Sequence, residues 1–252
     1  MCIDTITGIF SAIYDAWKEG REEKECGIAI KGMLEQELFC EYMLVEENLH
    51  KEQAVERLIR KHLGGQAYAD IWHASLASDK DKADAIYGTM LAARRLRDSK
   101  KVMEHLSHPQ VERVFELSRK VGSEAHNYKG FLRFRELSGG ILYGGIAPKN
   151  RILTCIAPHF ANRLPQENWL IHDKTHHMYA VHEDRKEWVL VENERIQEES
   201  WGIYRKMNRC MQVCGLLFAG QYLLNPGRIQ EVRCSIFQLR YRPEMTEMAG
   251  EV

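Results

Sequence analysis

The chain has 252 residues, a formal net charge of −1, 44% apolar residues and 28% charged ones, the balance of an ordinary globular protein in water. Its longest apolar runs, such as 214–219, are far too short to cross a bilayer, so no membrane partner is expected. The opening MCIDTITGIF has no basic segment before its first apolar stretch, which argues against a secretory leader, and seven cysteines without framework spacing point to a reducing cytoplasm.

Residues Ile6 to Lys18 place Ile6, Phe10, Ile13, Tyr14 and Trp17 on one face, the pattern of an amphipathic helix. The short apolar stretches Cys26 to Lys31 and Glu41 to Val45 read as strands. Lys51 to His62 returns to helical spacing and stops at Gly64-Gly65. Gln66 to Ser75 and Asp79 to Arg97 are two further helices, the second with Asp79 as its N-cap. Pro109 suits a first helical turn, and the helix from Gln110 to Glu124 buries Val111, Val114, Phe115, Leu117, Ser118 and Val121.

After Asn127 the period falls to two, so that a strand puts Phe131, Arg133 and Arg135 on one face and Leu132, Phe134 and Glu136 on the other. Ser138-Gly139-Gly140 supplies a turn into a second strand, Ile141 to Ile146. A helix from Arg151 to Arg163 ends at Leu164-Pro165. Three short strands follow at Trp169 to Asp173, Met178 to His182 and Trp188 to Val191, and Glu198 to Leu223 reads as a long helix. The expected product is an α+β fold: a helical first half, 1–105, packed with a small antiparallel sheet that carries an inserted helix, and then a C-terminal helix, 106–252.

The near-zero net charge conceals an asymmetry. Acids dominate from Glu19 to Glu56, whereas bases dominate from Arg94 to Arg135. A basic stripe can act on a polyanion whatever the global charge; the other reading of such a run is a solvated helix face. In the strand FLRFR, an aromatic ring and two guanidiniums share a face that could stack a base and grip phosphates, unless Phe131 is core and the arginines pair with acids.

The blocks IFSAIYDAW, DKADAIY, VFELSRKVGSEAHNYKGFLRF, APHFANRLP and NWLIHD, spread from about Thr5 to Val191, resemble a bacterial family of DNA-metabolism or DNA-repair proteins. Members carry a domain of unknown function, occur beside a radical-SAM partner protein and are in some cases fused to uracil-DNA glycosylase-like domains. The resemblance implies a role in DNA metabolism and supplies no reaction. It falls on Glu124, His126, Lys129, Gly130, Phe131, Arg133 and Phe134, on His159, Phe160 and Arg163, and on Trp169 and Asp173. The chain departs from the family pattern in KTHHMY after Asp173 and in the apolar, cysteine-bearing RCMQVCGLLFAGQYLL.

Three functional readings follow, one of them a non-catalytic scaffold whose acidic first half docks a basic partner such as the radical-SAM protein. In the first of the other two, single- or double-stranded DNA or a repair partner binds a basic surface comprising Arg94, Arg95, Arg119, Lys120, Lys129, Arg133 and Arg163. In the second, Glu124, His126, His159 and Asp173 form a polar centre in which carboxylates orient imidazoles for acid–base chemistry. Glu124 and His126 would then lie at a helix-to-strand junction; in the alternative, they cap and pair locally. No cofactor is expected. His172, His176, His177, His182, Cys210, Cys214 and Cys234 offer metal ligands but no CxxC, HExxH or CxxxCxxC spacing, so no metal is expected either. Phosphate-loop, dinucleotide-binding, nucleophile-elbow and zinc-deaminase motifs are absent.

Overall fold

The computed structural model describes residues 1–20, 26–33, 40–137 and 140–192. The chain forms two compact units, Met1–Glu124 and Ala125–Val252, the second described as far as Glu192. The expected helix from Glu198 to Leu223, with Cys210 and Cys214, and the basic stretch around Cys234 lie outside the described residues, as do Ser138 and Gly139 of the expected turn.

The first unit is helical. Helix α1 (Ile6–Lys18) starts at Thr5, whose hydroxyl accepts from the Gly8 amide at 2.9 Å. Helix α2 (Leu49–His62) is capped by Asn48, which accepts from the amides of His50 and Lys51. Gly64 then turns the chain at φ 91°, a left-handed conformation that favours glycine, and α3 (Gly65–Ser75) begins at once. Helix α4 (Lys82–Arg95) is buried along nearly its whole length, which is why it lacks a clean polar face. A 3-10 turn at Ser99–Glu104 leads to α5 (Pro109–Phe131). Ile9, Phe10, Ile13, Ile59, Ile71, Ile86, Tyr87, Met90, Val114 and Leu117 make up the centre of this unit's core.

Three expectations are corrected here. Residues 26–31 and 41–45 form no strands; their only ladder element is an isolated parallel bridge between Cys2 and Ile30. Their backbone groups are satisfied elsewhere, Ile28 N–H by the Asp84 carboxylate at 3.1 Å and Val45 N–H by the Met1 carbonyl at 2.9 Å. The residue before α4 is Asp81, and Asp79 lies outside the helix, one carboxylate oxygen on Arg113 at 2.7 Å and the other accepting from the Asp81 amide at 3.1 Å. Helix α5 runs past Glu124 to Phe131, since Ala125 continues the buried stripe of Val114, Leu117 and Val121. The division expected after residue 105 precedes α5, whose first turns are tied into the first unit through Arg113–Asp79 and Ser118–Asp70 at 2.9 Å.

The second unit contains β1 (Arg135–Leu137), β2 (Ile141–Ile146), α6 (Leu153–Arg163), β3 (Trp169–Asp173), β4 (Met178–His182) and β5 (Val189–Glu192). They make a five-stranded sheet in the order β1-β2-β3-β4-β5. The inserted helix and the α+β class are as expected, but the sheet is not wholly antiparallel. Strands β2 and β3 pair in parallel, Leu142 opposite Trp169 and Ile146 opposite Asp173, while the other three pairings are antiparallel. The reason lies in the connection: a helix long enough to return the chain to its starting end converts a hairpin into a parallel crossover. Helix α6 packs on β3 and β4. Another sheet face gathers Ile141, Tyr143, Leu170, Tyr179, Val181 and Val191 into a buried cluster.

Before β1 the chain is extended but outside the sheet. Leu132 and Phe134 lie against β2 at Gly144, where a Cβ would stand 3.0 Å from the Leu132 side chain and 3.2 Å from the Phe134 ring. Phe134 also meets Phe160 of α6 edge-on at 5.3 Å. The expected strand FLRFR therefore splits into a helix end at Phe131, an extended linker and a strand that starts at Arg135.

A buried cation ties down the first unit. Lys82, 1% exposed, donates to the Ala77 carbonyl at 2.7 Å and pairs with Asp4 at 2.6 Å. Lys82→Ala should cost about 3 kcal/mol in urea unfolding, because it strands the carboxylate and removes the stem from the core. Lys82→Met, which keeps most of the packing, should cost less.

Candidate nucleic-acid interface

The pleat between α5 and β1 sorts the side chains. Leu132 and Phe134 turn inward against Gly144, so Phe131, Arg133 and Arg135 are exposed. Phe131 is 76% exposed, the highest value among the large apolar side chains described. A ring this open has a face available for stacking. Arg133 makes no ion pair among the described residues, and the Arg135 guanidinium sits 4.7 Å from the centre of the Tyr143 ring. Phe131 is thus the last residue of a helix and not part of a strand, and it shares exposure with Arg133 and Arg135.

Lys129 approaches from the last turns of α5, half-buried. On α6, Cys155, His159 and Arg163 follow one another at four-residue spacing, a single row along the helix. His159 Nε2 is closed off from solvent and has no hydrogen-bond partner. Burial, followed by the positive charges of Lys129 and Arg163, holds its imidazole below the ordinary histidine value, so it is neutral at pH 7. Burial pushes the Cys155 thiol up to about 12 against the smaller opposing pull of Lys129, which rules out a thiolate nucleophile there.

The basic residues of the first unit are partly occupied. Arg94 and Arg95 are exposed at the end of α4, with the Arg94 guanidinium 5.8 Å from the Trp17 ring centre. On α5, Arg119 lies over Phe115 at 5.7 Å, and Lys120 is 3.9 Å from a Glu116 oxygen that also takes Arg113.

The expected acid–base group is placed differently from its sequence reading. Glu124 and His126 sit within α5 rather than at a junction; Glu124 is half-buried and engaged, and His126 is exposed. Asp173, fully buried at the end of β3, spends one oxygen on the amides of Thr175 and His176 at 3.0 and 3.1 Å and the other on His176 Nδ1 at 2.7 Å. No hydrogen bond or ion pair among the described residues joins it to His126 or His159. The partner missed in the sequence is His176, three residues on; Asp followed by a polar turn and a histidine is the signal that carries it.

The other turn and strand histidines have structural company. His172 faces the Tyr143 hydroxyl at 3.0 Å and stacks on Tyr179 at 4.3 Å. His182 stacks on Trp169 at 4.9 Å and bonds the Glu167 carbonyl at 2.8 Å. Among the described residues no three His, Cys, Asp or Glu side chains are grouped to hold a metal ion.

Asp173→Ala should therefore act on stability. Leaving two amides and an imidazole without their acceptor is expected to cost about 3 kcal/mol in urea unfolding. Asp173→Asn, which retains an acceptor for the amides, should recover part of that loss.

The profile of a family defined by a domain of unknown function, DUF4130, matches residues 80–211, just over half of the chain, from the start of α4 through the whole sheet. No curated protein and no solved structure matches the chain. No helix among the described residues is long and apolar enough to cross a membrane.

Proposed function

The chain belongs to the DUF4130 family, and on that premise we propose that it binds single-stranded nucleic acid through the exposed row Phe131, Arg133 and Arg135, flanked by Lys129 and Arg163. The observation that carries this reading is the exposure of Phe131 in register with two arginines. An unpaired base offers a flat face for the ring, and its phosphates offer anions for the guanidiniums; a duplex hides the base faces and offers only the phosphates. A role in bacterial DNA metabolism or repair, in the cytoplasm and beside a radical-SAM partner protein, is part of this proposal, and the family resemblance of the sequence blocks supports it. Arg94, Arg95, Arg119 and Lys120, in the first unit, are a separate set of proposed non-specific phosphate contacts.

An enzymatic centre built from Glu124, His126, His159 and Asp173 has less support. Asp173 is satisfied by its own turn, and the Cys155 thiol is held protonated. The binding reading rests on Phe131 and Arg133, which are exposed.

Fluorescence anisotropy with a labelled single-stranded oligonucleotide tests it. Affinity should fall steeply with salt, because each neutralised phosphate releases counterion. Phe131→Ala should weaken binding about tenfold, in line with a lost stacking platform, and Arg133→Ala should lower the salt slope by about one. Both variants should unfold within about 0.5 kcal/mol of the parent, as exposed positions do. Absence of binding at low salt, or equal affinity for duplex and single strand, would overturn the proposal.

A further inference from the structure

Gly145 is the exposed residue of β2, an inner strand between β1 and β3. Strand β1 reaches only as far as Arg135, opposite Tyr143, and leaves Gly145 beyond its end. An open glycine in a strand is a place where a ligand can come close to the backbone.

Three side chains frame this opening on the face that Tyr143 and Gly145 share. A Cβ at Gly145 would stand 3.2 Å from Lys174 Cε and 3.4 Å from the Tyr143 hydroxyl. Lys174 is exposed, and its backbone N–H is fixed on the Ile146 carbonyl at 2.9 Å. The Arg135 guanidinium lies 4.7 Å from the centre of the Tyr143 ring; its side chain is exposed and makes no hydrogen bond or ion pair among the described residues. The ring itself is held in place. Its hydroxyl is 3.0 Å from His172 Nδ1, and His172 stacks on Tyr179 at 4.3 Å. A guanidinium stacked on a ring keeps its N–H donors in its own plane, where they can still grip an anion.

We infer that Arg135 and Lys174 grip one phosphate group of the bound strand over Gly145, so that the strand runs from Phe131 across the end of β2 to the turn after β3. The inference rests on the nucleic-acid reading and deepens it, adding a phosphate contact from a segment distant in sequence. Two strand spacings, about 10 Å, separate β1 from β3, a gap that two long cationic side chains can close around an anion. A phosphodiester presents two unesterified oxygens, one for the guanidinium fork and one for the ammonium group. The contact exchanges water and counterions for ion pairs, and no covalent bond changes.

Gly145→Ala separates this site from the fold. The added methyl meets the far end of a flexible lysine, which can swing aside, and lies at contact distance from Tyr143. The sheet should keep its stability while the phosphate loses its floor.

The test is fluorescence anisotropy of the full chain with a labelled single-stranded oligonucleotide over a range of salt, using Lys174→Gln and Gly145→Ala. Lys174→Gln should lower the salt slope by about one. Gly145→Ala should weaken binding in the same direction, and both variants should match the parent in urea unfolding. In a second arm, NMR follows the Arg135 Nε–H signal on addition of inorganic phosphate; the signal should shift in the parent and shift less in Lys174→Gln. Oligonucleotide binding with unchanged affinity and slope in both variants overturns the subsite and leaves the stacking surface. A phosphate-dependent Arg135 shift without oligonucleotide binding removes the nucleic-acid reading and assigns the subsite to free phosphate. No shift and no oligonucleotide binding overturns both.

Discussion

The parallel pairing of β2 with β3 is the constraint on which the second unit depends. Two strands running the same way cannot be joined by a tight turn, so the chain must climb back through a helix. Helix α6 is that return path, and its docking on β3 and β4 sets the direction of the row Cys155, His159 and Arg163. The same pairing brings the end of β2 beside the end of β3, where Lys174 N–H bonds the Ile146 carbonyl at 2.9 Å and Asp173 anchors the following turn. The chemistry-bearing residues of this unit are thus placed by sheet topology before any of them meets a partner.

The first unit depends instead on polar ties in and around an apolar core. Lys82 with Asp4, Arg113 with Asp79, Ser118 with Asp70 and Lys51 with Asp15 each join segments distant in sequence. Thr5 with Glu47 and Thr7 with Glu52 do the same at the start of α1. Of the acids from Glu19 to Glu56 that give the first half its negative bias, Glu47 and Glu52 serve as such fasteners. Exposed pairs such as Lys120 with Glu116 add little by comparison.

Much of the fold is legible in the sequence because burial and period agree. Helix α1 is bounded by Thr5 and a five-residue apolar stripe, and β2, β3 and β4 are short apolar runs between turn residues. Legibility fails where the deciding term is not periodic. Residues 26–31 look like a strand, yet Asp84 takes the Ile28 amide. Residues 125–131 look like the approach to a strand, yet burial of Ala125 extends the helix. The parallel pair could not be read, because strand direction depends on where α6 delivers the chain. At the site, alternation alone left open whether Phe131 belongs to the core or the surface, and the end of α5 leaves it exposed. The bond from Asp173 to His176 was not legible, since it requires a turn whose His177 adopts φ 54°.

Gly144 has a role out of proportion to its size. It lies inside the sheet and touches no polar group of the proposed surface, yet the bare backbone there is what lets Leu132 and Phe134 settle against β2. Their seating decides which way the residues between and beside them project. A methyl group at this position would stand 3.0 Å from the Leu132 side chain and 3.2 Å from the Phe134 ring, so both would have to shift by a few tenths of an ångström to admit it. The position thus ties packing inside the sheet to the path of the linker that carries Arg133.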